Sequence, residues 1–134
     1  MIRFTVCKDF PSDTKNRVWQ IASDVKRMTE FWRGIKELNV VKNGDFYEGS
    51  VHFAFPALGK IRIEIENSLV RLVYLSGPME GTQEISVNET KLCSNWNVKL
   101  NFPYLLFERW IRDHFEQGAK NALKRIVDSA QDSS

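Results

Sequence analysis

The sequence predicts an α+β domain in which a strongly curved antiparallel sheet of about six to seven strands wraps around one long C-terminal helix. Three observations predict it. Between Ile35 and Leu100, apolar and polar residues alternate with a period of two, interrupted by short turn sequences. Two short helical segments separate a first strand from this region. From Phe102 to Ala130 the apolar spacing changes to three and four, the period of a helix.

The N-terminal part predicts one strand followed by two short helices. Apolar and polar residues alternate over Ile2–Val6, as in a strand with one buried face. Ser12 or Asp13 is expected to cap the first helix, and Asp24 the second. Gly34 is expected to end the second helix, because glycine commonly follows a helix C-terminus.

The middle of the chain predicts a series of hairpins. Strands joined by short turns pair antiparallel, and a sheet of this size must curl. A long helix on the concave side of a curled sheet cannot touch it everywhere, so we expect a cavity between them. The turns are expected at Asn43-Gly44-Asp45, at 56–59, at Asn67-Ser68, at Ser76-Gly77-Pro78 and at Asn88-Glu89.

The composition excludes several classes of function. The formal net charge is only +2 and the two signs are interleaved, which does not predict nucleic-acid binding. The two cysteines and two histidines show no zinc-ligand spacing, so neither a metal nor a cofactor is expected. No apolar run is long enough to span a membrane, and no signal-peptide core is expected at the N-terminus. We therefore expect a soluble, cytoplasmic protein.

Cys7 and Cys93 lie far apart within apolar alternations. Small buried core residues are the more common explanation of such cysteines, so we expect two core residues rather than a disulfide or a redox pair. His52 falls on the polar side of its strand and is expected at the surface.

Two short segments and the order of the elements carry a resemblance to a known superfamily. Residues 18–24 (Val-Trp-Gln-Ile-Ala-Ser-Asp) and 31–36 (Phe-Trp-Arg-Gly-Ile-Lys) resemble the opening of the START-like, or SRPBCC, superfamily. That group includes polyketide cyclase/dehydrase-like proteins, lipid-transfer proteins and plant pollen allergens. Residues 76–81 resemble its strand-to-strand turn, and the Trp96 strand before the long helix completes the order.

The resemblance covers essentially the whole chain and implies the helix-grip fold. It implies a single START-like domain over residues 1–130, with residues 131–134 as a frayed C-terminus. It also implies a deep hydrophobic cavity between the sheet and the long helix, used in the family for lipids, sterols, polyketides, quinones or plant hormones. Gly118, Ala119 and Ala122 would then be small because the helix closes directly onto the sheet there.

The leading hypothesis is the binding or carriage of a small hydrophobic ligand, either a lipid or a fatty-acyl-like molecule. The first half of the long helix would face this ligand, and the Phe31-Trp32 pair would lie at the cavity mouth. Apolar walls with few polar groups favour such a guest. The predicted ligand-binding residues are Phe31, Trp32, Phe53, Phe55, Ile63, Leu72, Tyr74, Trp96, Phe107, Glu108, Ile111 and Phe115.

Glu108 is the residue of the long helix that core packing explains least. It falls within the apolar arc, yet a buried carboxylate without a partner is costly. In the first helical turn a solvated acid is the more common explanation, and Arg112 at i+4 is the expected neighbour.

Two other functions stay open on the sequence. A cyclase-, dehydrase- or thioester-type enzyme would need a polar residue held inside, with Glu108, Tyr74 and His114 as the candidates. No catalytic residue is predicted, because no nucleophile-base arrangement appears. A protein-interaction domain would combine a filled interior with an exposed apolar patch. An exposed strand edge could also support a homodimer.

Overall fold

The computed structural model describes residues 1–55 and 57–132 and contains one seven-stranded antiparallel sheet. The strand order is β1-β7-β6-β5-β4-β3-β2, so the first strand pairs with the last and the others follow as hairpins. The predicted α+β, helix-grip architecture is confirmed. The strands are β1 (Ile2–Asp9), β2 (Ile35–Asn43), β3 (Phe46–Phe53), β4 (Leu58–Glu66), β5 (Leu69–Ser76), β6 (Met79–Val87) and β7 (Lys91–Leu100).

Two short helices lie between β1 and β2, and a long helix follows β7. They are α1 (Lys15–Ala22), α2 (Met28–Phe31) and α3 (Glu108–Asp132). Each follows a 3-10 turn, at Ser12–Thr14, Val25–Arg27 and Tyr104–Phe107 respectively. α3 packs mainly against β1, β7 and α1. Among the described residues, no helix is long and apolar enough to cross a membrane.

The long helix begins later than predicted. The 3-10 turn occupies the first residues of the segment, and the α-helix starts at Glu108 and runs to Asp132. Residues 131 and 132, expected to be frayed, are therefore helical, while 133 and 134 lie outside the described residues.

The predicted caps and turns have mixed outcomes. Asp24 does accept a hydrogen bond from the backbone N–H of Lys26, at 3.1 Å. Ser12 and Asp13 do not cap α1, because both lie within the preceding 3-10 turn. The turn expected at 56–59 ends earlier, since Gly59 already pairs with Val51 in the sheet; Pro56 itself lies outside the described residues.

The core lies between the concave face of the sheet and the C-terminal half of α3. Alternate residues of β7, from Leu92 to Leu100, are all buried. Fully burying an aliphatic side chain contributes about 1.5–3 kcal/mol, so this contact is a major source of stability. The buried residues of α3 beyond Ile111 are Ala119, Ala122, Leu123, Ile126, Val127 and Ala130.

Cys7 and Cys93 form a disulfide, contrary to the expectation of two core thiols. They are directly opposite each other in the β1-β7 ladder, with Cα atoms 4.1 Å apart. Both belong to the outward-facing set of their strands, and Cys7 is exposed. The pairing of the first strand with the last brings them together, which the spacing of two cysteines in the sequence does not reveal.

The sheet bends where its pairing is irregular. The register shifts between Ile35 and Glu37 in the β2-β3 ladder and between Lys60 and Ile61 in the β4-β5 ladder. Such bulges bend and twist a sheet locally. Gly81 has φ +137°, and a Cβ there would collide with the β7 backbone. This curvature leaves room between the sheet and the start of α3.

Candidate functional site

A cavity of about 810 Å³ lies between the sheet, the N-terminal half of α3 and the segment that follows α2. Its sheet wall consists of Phe53, Tyr74, Met79, Gln83 and Trp96. Its helix wall runs from Pro103 and Tyr104 through Phe107, Trp110, Ile111, His114, Phe115, Gly118, Ala119 and Asn121 to Arg125. The remaining lining residues are Trp32, Arg33, Gly34, Ile35, Ala54 and Phe55.

Six aromatic side chains line this cavity in a continuous series of ring contacts. Neighbouring ring centroids are 5.2–6.4 Å apart, the separation at which aromatic rings attract one another beyond their burial. Both ends of the series lie on the helix side of the cavity and its middle lies on the sheet. The rings therefore line the cavity with rigid apolar surface. These residues, the aromatic belt below, are Tyr104, Phe55, Phe53, Tyr74, Trp96 and Phe115.

A chain of buried hydrogen bonds begins at the cavity wall. The hydroxyl of Tyr74 donates to Oε1 of Gln83 at 3.0 Å, and Nε2 of Gln83 donates to Oγ of Ser94 at 3.3 Å. All three residues are buried. Burial raises the pKa of Tyr74 well above its usual value, so the phenol stays protonated at neutral pH. This chain fixes a polar group in the sheet wall of the cavity.

A second polar feature of the wall is the indole of Trp96. Its Nε1 is buried and donates to no acceptor among residues 1–55 and 57–132. A buried donor without a partner costs about 1–3 kcal/mol. The ring itself is held between Phe4 at 5.5 Å and Phe115 at 5.2 Å.

Two arginines, Arg33 and Arg125, lie at the rim of the cavity. Nη1 of Arg125 donates to the carbonyl oxygen of Phe31, the last residue of α2, at 2.9 Å. Burial and the nearby charge of Arg33 lower the pKa of Arg125. In the part of the chain that the structure describes, neither guanidinium forms a salt bridge. We call these two residues the arginine pair.

The middle of α3 borders the cavity with a polar and open stripe. Its residues His114, Gly118, Asn121 and Arg125 recur at steps of four, three and four. No atom lies within 4 Å of the position of a Cβ on Gly118, and the residue is exposed. The prediction that Gly118 closes the helix onto the sheet is therefore wrong. Ala119 and Ala122 are buried, as the same prediction requires, although Ala119 also lines the cavity.

The start of α3 forms an apolar opening of the cavity. Phe107 and Trp110 line the cavity and yet are 61% and 69% exposed. Phe107 lies in the 3-10 turn that precedes α3, and Trp110 lies in the first turn of α3. Exposed apolar neighbours extend this opening, namely Phe102, Leu105 and Leu106.

Eight of the twelve predicted ligand-binding residues line the cavity. They are Trp32, Phe53, Phe55, Tyr74, Trp96, Phe107, Ile111 and Phe115. Phe31 instead packs in the core beneath the guanidinium of Arg27. Ile63 and Leu72 face inward as predicted but are fully buried away from the cavity.

Glu108 also lies outside the cavity lining. Its carboxylate accepts a hydrogen bond from the ammonium group of Met1 at 2.7 Å. The expected partner Arg112 bonds Glu116 at 3.3 Å instead. A helical wheel places Glu108 within the apolar arc, but at the first turn of α3 its carboxylate binds the ammonium group of Met1 instead of facing the cavity.

Sequence reasoning missed the polar lining residues. Gln83 interrupts the otherwise apolar inward face of β6. Because a buried polar side chain needs a hydrogen-bond partner, this position could have predicted an inward partner such as Ser94. Arg33 and Arg125 carried no comparable signal. They are distant in sequence and meet only because α2 packs beside α3.

No protein-family model and no curated protein sequence matches this chain, but several solved structures do. A protein of Thermus thermophilus is 14% identical, with a TM-score of 0.74 over 99% of this chain and 98% of its own. The Zhui aromatase/cyclase of Streptomyces sp. R1128 is 13% identical, with a TM-score of 0.64 over 97% of this chain and 92% of its own.

A third similar structure is a STAR-related lipid transfer protein fragment from Xanthomonas axonopodis. It is 10% identical, with a TM-score of 0.60 over 96% of this chain and 84% of its own. This chain has the START-like, helix-grip fold. At such low identity the similarity shows the fold alone, because START-like folds, like other common folds, host different activities.

Proposed function

We propose that this START-like chain binds or carries a small hydrophobic ligand, a lipid or a fatty-acyl-like molecule, between its sheet and α3. The observation that carries the proposal is the cavity of about 810 Å³. Ligand sites typically measure about 300–1,000 Å³ and are mostly apolar with a few placed polar groups. A lipid transfer protein and an aromatase/cyclase with the same fold support a guest of this kind.

The cavity residues would act by removing apolar surface of the guest from water. The aromatic belt supplies large rigid surfaces that lose little conformational entropy on binding. Each buried methylene contributes about 0.8 kcal/mol, a factor of about four in affinity. A guest with an extended alkyl chain would therefore bind more tightly with each added carbon until the cavity is full.

A titration of tryptophan fluorescence with saturated fatty acids tests this proposal. Trp32, Trp96 and Trp110 line the cavity, so an entering ligand should change their emission saturably. Gly118→Phe should weaken binding at least tenfold, because its side chain enters the open space beside the cavity. Lys120→Phe, at an exposed position of the same helix, is the matched control and should leave binding unchanged. Absence of saturable binding to the unmodified protein would overturn the proposal.

The second candidate is a cyclase-, dehydrase- or thioester-type enzyme using the same cavity. The buried Tyr74-Gln83 hydrogen bond favours it, since it places a neutral phenol at the cavity wall. A protonated phenol can act as a general acid or stabilise a developing oxyanion when a substrate oxygen replaces Oε1 of Gln83 as the acceptor of its single proton. Tyr74→Phe should then abolish turnover in a substrate screen while ligand binding persists. Turnover that survives this substitution would argue against Tyr74 as the catalytic residue.

A protein-interaction role has less support. An exposed apolar patch of the expected kind is present from Phe102 to Trp110. This role also predicts a filled interior. The interior is not filled, because the cavity has room for a ligand. Pairing of a free edge strand such as β2 with a second copy stays a prediction, which sedimentation analysis would test.

A cytoplasmic location also stays a prediction. The Cys7–Cys93 disulfide weighs against it, because disulfides are rare in reducing compartments. Trapping free thiols in intact cells measures the state of this pair. Two trapped thiols would support the cytoplasmic location, and a fully oxidised pair would point to an oxidising compartment.

A further inference from the structure

The arginine pair is an uncompensated positive charge at the rim of an apolar cavity. Arg33 follows Trp32 in the segment between α2 and β2, and Arg125 lies on α3. Both line the same cavity as the aromatic belt. The two charges are close enough that Arg33 lowers the pKa of Arg125.

The acids that lie three residues from each arginine in the sequence, Glu30 and Asp128, already have other partners. Glu30 accepts from Arg27 at 3.0 Å, and Asp128 accepts from Lys124 at 2.7 Å. Arg71, on the outer face of the sheet, shows the contrasting arrangement, since it lies between two carboxylates. Within residues 1–55 and 57–132, no salt bridge neutralises Arg33 or Arg125. Two adjacent like charges repel, so an anion bound between them would stabilise the pair.

Arg125 is held in place for such an anion. Its bond to the carbonyl oxygen of Phe31 uses one of the five guanidinium N–H groups. The others form a rigid planar fork, whose geometry matches the oxygens of a carboxylate or a phosphate. The hydrogen bond from Arg125 to Phe31 connects α3 to α2, which is a sufficient structural reason for an arginine at position 125. It does not explain why a second arginine, Arg33, lies beside it.

We propose that the cavity takes an amphiphile whose anionic head group, a carboxylate or a phosphate, binds Arg33 and Arg125 while its alkyl tail lies against the aromatic belt. This inference rests on the proposed function and narrows the class of ligand. Neutral lipids without a head-group charge would fill the cavity but leave the arginine pair unpaired.

The test compares ligands that share one tail. Dodecanoate, dodecyl phosphate and neutral dodecanol are titrated into the protein by calorimetry, below their aggregation concentrations. We expect both anions to bind about 5–20-fold more tightly than dodecanol, the range for charge-assisted hydrogen bonds at a partly exposed site. Acetate and inorganic phosphate are the tail-free controls and should bind at least a hundredfold more weakly than the matching amphiphiles.

Substitutions then assign the preference to the arginine pair. Arg33→Gln and Arg125→Gln should each remove most of the preference, so that the two anions bind with nearly the affinity of dodecanol. Arg33 is exposed and makes none of the bonds that hold α2 to α3, so Arg33→Gln tests head-group binding without disturbing the fold. Arg17→Gln is the matched control, because Arg17 donates to a backbone carbonyl, that of Ala130, away from the cavity.

Each outcome has a defined meaning. Equal affinity for dodecanoate and dodecanol, or an equal loss for both in the Arg33→Gln variant, would overturn this inference and leave the proposed hydrophobic ligand intact. Phosphate binding as tight as that of dodecyl phosphate would show an anion site unrelated to the cavity and would also overturn it. Failure of all three dodecyl ligands to bind would reject both proposals.

Discussion

Replacing both Cys7 and Cys93 by serine is expected to lower the free energy of unfolding by about 4–5 kcal/mol. The disulfide joins residues 86 apart in sequence. The loop-entropy relation then gives about 15 cal/mol/K, or about 4.6 kcal/mol at 25 °C, lost from the unfolded chain. Removal of native disulfides costs about 2–5 kcal/mol, and the worked value falls within that range.

Guanidinium chloride unfolding of the oxidised protein and of the double serine variant measures this difference. The control is the neighbouring outward pair on the same strands, in which Oγ1 of Thr5 donates to Oδ1 of Asn95 at 3.0 Å. Thr5→Ala with Asn95→Ala should cost less than about 1 kcal/mol, as for an exposed hydrogen bond. Two free thiols in the unreduced protein, or a loss no larger than that of the control, would refute the reasoning.

Three further predictions concern the cavity and its closed end. The buried phenol of Tyr74 keeps its proton when the unfolded chain loses one near pH 10. Unfolding free energies measured above pH 10 should therefore fall by about 1.4 kcal/mol per pH unit from this group, and an equal slope in Tyr74→Phe would contradict the assignment. Gly118→Ala should raise stability by about 0.5–1 kcal/mol in thermal melts, because the position is helical and open; destabilisation would mean that the position is filled. Ala122→Leu should cost about 1–3 kcal/mol by overpacking the closed end, and an unchanged melting temperature would show spare space there.

The fold was largely predictable because its signals are local. Period-two alternation, turn residues such as Asn43-Gly44-Asp45, and the switch to helical spacing after β7 each act over a few residues. The inward faces of β3 and β7 followed from the same alternation, which placed Phe53 and Trp96 at the cavity wall. β5 is apolar on both faces apart from Arg71, so alternation left the face that carries Tyr74 undecided.

What the sequence did not predict depends on contacts between distant elements. The disulfide needs the register of the first strand against the last. The arginine pair needs the packing of α2 beside α3. The role of Glu108 depends on its hydrogen bond with the ammonium group of Met1, at the other end of the chain. None of these leaves a periodic pattern in the chain.

Native mass spectrometry of gently purified protein, followed by lipid extraction, tests the central claim most directly. The cavity of about 810 Å³ predicts a reproducible added mass that disappears on denaturation and is recovered as a small hydrophobic molecule. Delipidated protein should regain such a mass when fatty acids are added. A reproducibly empty protein that also fails to bind fatty acids and hydrophobic dyes would contradict the account.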